Sequence, residues 1–81
     1  MEFSEYKIIK EKQAGYIIIK ENSQYNDIEA TCVVVEQNIT ARLFGTVKDK
    51  IILKRGSRLF LHGKSNGTIE NQGGEIHIFD H

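Results

Sequence analysis

Three histidines near the carboxyl end, His62, His77 and His81, with Asp80 beside the last, are the side chains best suited to chemistry in this 81-residue chain. Imidazole and carboxylate together are the usual raw material of a zinc or copper site. A closed structural site takes four ligands, and the sequence offers no spaced set of four, so we expect no metal and no cofactor. Histidines on a solvated strand and at a chain end account for the same residues. Nucleophiles are less promising still. Cys32 sits in the run Thr31-Cys32-Val33-Val34-Val35, a setting for a small core residue rather than a reactive thiol or half a disulfide. Ser57 and Ser65 have no base at motif spacing, and no helical pattern follows the glycines to make them a phosphate loop. The expectation is a non-catalytic protein.

Composition narrows the partners. Eleven basic and 11 acidic residues leave a formal net charge of zero, which removes the long-range field of a nucleic-acid binder. The most basic window, KDKIILKRGSR at 48–58, lies near Phe44 and Phe60, and basic residues interleaved with aromatics suit a single strand. Glu29, Glu36, Asp49, Glu70 and Glu75 fall in the same repeats, and this speaks against nucleic acid. No apolar run approaches the roughly 20 residues needed to span a bilayer. The opening MEFSEYKIIKEK lacks the apolar stretch of a secretory signal, so a cytoplasmic location without membrane contact is expected.

What must position these residues is a set of strands. Apolar residues alternate rather than recurring every three or four positions, which is the strand period. From Val33 to Ile69 every odd position is apolar, Gly or Ser except Gln37, Asp49 and Arg55. Alternation over that length exceeds a strand of about 5–6 residues, so the chain must bend repeatedly while keeping one side inward.

A repeat of about 18 residues shows how. Val33 recurs as Ile51 and Ile69, and Val35 as Leu53 and Asn71. Ala41 and Leu43 recur as Leu59 and Leu61, Gly45 as Gly63, and Asn38 as Gly56. After Gln72 the register slips by one, so that Gly73-Gly74-x-Ile76-x-Ile78 follows Gly56-Ser57-x-Leu59-x-Leu61. Ile17 and Ile19 begin the series beneath Val33 and Val35. One coil cannot bury its own inward stripe, whereas stacked coils about 4.8 Å apart place like residues over like. The expected fold is all-β: a single domain over 1–81, with a short β-solenoid of three to four coils over 15–81. Residues 1–14 form an N-terminal strand or a cap that uses Phe3, Tyr6, Ile8 or Ile9. Leu43, Leu53, Leu61 and Ile78 should point inward, with corners at Gly56 and Gly73. An antiparallel hairpin sandwich is the alternative, since Asn66-Gly67 is a favoured hairpin turn. A left-handed hexapeptide helix fits less well. Its six-spaced aliphatics at Val35, Ala41, Val47, Leu53 and Leu59 are followed by Glu36, Arg42, Lys48, Lys54 and Phe60 rather than by Gly, Asn or Asp.

The spaced glycines and aliphatics of residues 33–79, Gly45-x-Val47, Ile51-x-Leu53-x-x-Gly56, Leu59-x-Leu61-x-Gly63, Gly67-x-Ile69 and Gly73-Gly74-x-Ile76-x-Ile78, resemble those of bactofilins and related polymer-forming β-helix proteins. The resemblance implies triangular, right-handed coils and assembly through coil ends without nucleotide.

Outward apolar residues carry the functional expectation. Ile18, Val34 and Ile52 each lie between two inward residues and should form one exposed column. Phe44, Phe60 and Phe79 should form a second group, with Arg42, His62 and His77 around it. Contiguous apolar columns mark interaction surfaces. The expected function is therefore a protein–protein interaction or self-assembly module. An inhibitor or immunity-type protein that masks one heterologous partner is the alternative.

Overall fold

The computed structural model describes residues 6–79. Seven strands follow one another without a helix: β1 (Lys7–Ile9), β2 (Gln13–Ile19), β3 (Ser23–Val35), β4 (Thr40–Leu53), β5 (Arg58–Ser65), β6 (Thr68–Asn71) and β7 (Glu75–Phe79). Every strand pairing is parallel, and successive turns of the chain stack into a β-solenoid of about four turns, roughly 18 residues apart. Parallel pairing excludes the hairpin sandwich. The Asn66-Gly67 dipeptide, which suggested a hairpin, is instead a corner within one coil. Asn66 N–H donates to the Val47 carbonyl of the coil before it at 2.9 Å, and the chain carries on into β6 against β4.

The registers divide each coil into three sides. The first stacks β1 on 23–25, 41–43, 59–61 and 76–78, and the second stacks 13–15 on 28–30, 45–47 and 63–65. On the third, 16–19 lie on 32–35, 50–53 and 68–71. The long strand β3 turns between sides where its register breaks, between Tyr25 and Ile28 and again between Ala30 and Cys32. Alternation then sends one set of side chains inward on all three sides. Val33 over Ile51, Val35 over Leu53, Ala41 over Leu59 and Leu43 over Leu61 are all fully buried. These are the columns expected from the repeat.

Two backbone features make the stack possible. Asn38, Gly56 and Gly73 all have positive φ, at 62°, 75° and 115°, and form a column of corners. Asn38 N–H donates to Arg55 O, and Gly56 N–H to Gly73 O at 2.9 Å, so each corner is tied to the one above. A side chain at Gly56 would be strained by that φ and would strike the Asn38 side chain. On the second side, Gly63 lies in register on Gly45, and a β-carbon there would collide with the Gly45 carbonyl. The backbones of successive coils thus approach too closely at Gly63 to admit a side chain there.

One expectation is corrected, and the described part of residues 1–14 is a strand rather than a cap. Ile78 is stacked on Leu61 in the inward register, but it is 42% exposed because no further coil of the described residues covers it. Residues 7–14 are no lid over an apolar column. β1 pairs with 23–25, and Gln13 and Ala14 pair with Ile28 and Glu29, so the segment is the first coil of the stack. Phe3 lies outside the described residues.

Candidate interaction surface

The outward positions on the first side form two aromatic ladders. Phe44 stacks on His62 with ring centroids 4.6 Å apart, and His62 stacks on Phe79 at 4.6 Å, the planes inclined by 11° and 17°. Phe60 stacks on His77 at 5.2 Å. Parallel pairing explains this geometry: Phe44, His62 and Phe79 occupy successive rungs, as do Arg42, Phe60 and His77. The strand spacing of about 4.8 Å is close to a stacking distance, so rings at equivalent positions meet face to face. Facing rings use one another's broad faces within the chain, while His77 and Phe79, on the last described coil, stack on one side only and are exposed. His77 Nε2 is also 2.9 Å from Glu75 Oε2. This hydrogen bond, with the Arg58 guanidinium 3.6 Å away, holds the Glu75 carboxyl below its ordinary value.

The third side carries the aliphatic column. Ile18, Val34 and Ile52 stack in register, continued by Glu70. Ile18 is exposed and the other two are half-buried. No described strand lies over them. Tyr16 is 74% exposed on the same side, in register with Cys32, which is itself buried. Along the other margin run Lys20, Glu36, Lys54 and Gln72, placed by the bonds Glu36 N–H to Ile19 O, Lys54 N–H to Val35 O and Gln72 N–H to Leu53 O. A cleft of about 210 Å³ opens beside Ile18, lined by Lys7, Lys20, Glu21, Ser23 and Tyr25. Burial, helped by the Glu21 charge, lifts the Tyr25 hydroxyl above its ordinary value.

All eight residues expected at an interaction surface thus face outward, on two different sides. Sequence reasoning missed the charged margin Glu36 and Lys54 and the cleft at Lys7 and Lys20. Extending the repeat one position beyond Val35 and Leu53 would have found the margin.

The remaining candidates are structural in their surroundings. Ser57 is buried, and its hydroxyl donates to the Lys54 carbonyl at 2.7 Å, bracing the corner. In the basic window, Lys48 lies 3.5 Å from Glu29, Lys50 lies 3.9 Å from Glu70, and Arg58 is held by Glu75. Acids of neighbouring coils therefore meet cations that a nucleic-acid strand would need. No group of three or more His, Cys, Asp or Glu side chains among the described residues is placed to hold a metal, and Asp80 and His81 lie outside them. No described helix is long and apolar enough to cross a membrane. No family model, curated protein or solved structure matches the chain.

Proposed function

We propose that the protein is a non-catalytic, cytoplasmic self-assembly module of the bactofilin-like kind, whose coils present outward apolar columns to a second copy. The observation that carries this reading is the uncovered column Ile18, Val34 and Ile52. A chain that needed only to hide this column had residues 7–14 with which to do so, and those residues are built into the stack instead. Apolar surface left in water forgoes roughly 25 cal/mol for each Å² that a partner could cover. The column stands on regularly paired strands, so no backbone rearrangement is needed to present it.

Light scattering on the purified chain across a hundredfold concentration range tests the reading. The expected result is a mass that rises with concentration, and a fall to the monomer mass at every concentration when Val34 and Ile52 are both changed to Ser. A wild-type chain that is monomeric throughout, even at millimolar concentration, contradicts self-assembly.

A further inference from the structure

We infer that the third side pairs with the same side of a second copy in an antiparallel, two-fold arrangement, with Glu36 of each copy meeting Lys54 of the other. This deepens the self-assembly proposed above and rests on it.

The margin of the third side reads Lys20, Glu36, Lys54, Gln72 from the first coil to the fourth, and neither Glu36 nor Lys54 has an ion-pair partner among the described residues. Two solenoids laid face to face on this side with their strands aligned have a two-fold axis either along the stack or along the strands. In the first, the coils run the same way and the strand directions oppose. That arrangement sets the margin of one copy against the opposite margin, Tyr16, Cys32, Lys50 and Thr68, so that Lys54 meets Lys50 of the second copy. Like charges placed directly opposite are destabilising.

In the second, the two-fold axis runs along the strands between the second and third coils, and the coil order is reversed. Val34 then meets Ile52 of the second copy and Ile52 its Val34, giving a continuous apolar centre. On the margin Glu36 meets Lys54 and Lys54 meets Glu36, two ion pairs of correct sign generated by one symmetry operation. At the ends Ile18 faces Glu70 of the second copy. That carboxylate approaches Lys7 and Lys20, which line the cleft beside Ile18 together with Glu21. Charge therefore selects the antiparallel arrangement, and because the contact is isologous it closes at two copies. One apolar column and two ion pairs make an interface at the small end of specific contacts, so the dimer is reversible and dependent on concentration.

The first side is a weaker candidate for the same role. Most of its ring faces are already stacked within the chain, and Glu75 already holds both Arg58 and His77.

Two charge reversals test the pairing. Glu36→Lys alone sets Lys against Lys54 of the other copy, and Lys54→Glu alone sets Glu against Glu36 of the other copy. In sedimentation velocity each variant should self-associate at least about tenfold more weakly than the wild type. Mixed in equal amounts, the two variants should form a 1:1 heterodimer at least as tight as the wild-type dimer, since both cross-pairs then have opposite sign. Repair of a fold within one chain cannot produce that gain, and thermal melting of each variant verifies that both are folded. Variants that dimerise like the wild type, or a mixture no tighter than its components, overturn this arrangement while leaving self-assembly standing. A wild-type chain that stays monomeric overturns both.

Discussion

The two ends of the solenoid treat the same kind of residue in opposite ways. At the N-terminal end Ile17 and Ile19 are 6% and 1% exposed, although β2 is an edge strand. At the C-terminal end Ile69 and Ile78, the stacked equivalents of buried Ile51 and Leu61, are 41% and 42% exposed. Coil length accounts for the contrast. The pairs Lys7–Ser23 and Ile17–Val33 show a first coil about two residues shorter than the coil from Val33 to Ile51. A shorter coil is drawn in over the interior, whereas the last keeps nearly full width. An inward register therefore guarantees burial only where another coil or a taper lies beyond it.

The largest expected effect on this contrast comes from the core. Leu61→Ala should destabilise by about 2–5 kcal/mol, whereas Ile78→Ala in the same column should cost well under half as much, because its site is already open to water. Urea unfolding of the two variants measures the difference. Equal losses would mean that Ile78 is as enclosed as Leu61. Next come the glycines that hold the coils together. Gly63→Val should destabilise more than Gly56→Val, since the first drives a side chain into the Gly45 backbone and the second into a movable Asn38 side chain. Both should exceed the roughly 1 kcal/mol span of ordinary strand preference. A Gly56→Val chain with the stability of the wild type would contradict a strained corner.

The smallest effect is electrostatic and is shared by the two ends. Near the N-terminal end the Glu29 carboxyl is held below its ordinary value, first by the hydrogen bond from Lys12 and then by the Lys12 and Lys48 charges. The same pair raises Lys12. Near the C-terminal end Glu75 is lowered by His77 and Arg58. A carboxyl whose pKa is depressed by folding contributes stability above its unfolded value and loses it as pH falls through the folded value. All these groups are exposed, so the contribution is slight. Acid titration of stability should thus show a small loss below the ordinary carboxylate range, reduced in Glu29→Gln and in Glu75→Gln. Variants with the acid dependence of the wild type would show that these pairs contribute nothing.

Much of this architecture was legible because a parallel stack repeats its environment. Val33, Ile51 and Ile69 occupy equivalent places, so one spacing in the sequence reports one column in space. The aromatic ladders were legible for the same reason: once His62 and Phe79 share a rung position, their stacking follows. Of the first coil, Ile17 and Ile19 were legible and pair with Val33 and Val35 as expected, whereas residues 7–15 were not, because the shorter spacing and the register break between Gly15 and Tyr16 displace them from the repeat. The charged margin was overlooked because single outward charges on a strand ordinarily mean only solvation, although the same 18-residue spacing places Glu36 and Lys54 in one column. The exposure of Ile69 and Ile78 depends on what lies beyond the last rung, and a periodicity does not encode that.

Methyl resonances measured against protein concentration separate the outward column from the open end of the stack. Ile18, Val34 and Ile52 should shift or broaden as concentration rises, while Ile69 and Ile78 hold their positions. Shifts confined to Ile69 and Ile78, or no shift at any of the five, would contradict pairing through the column.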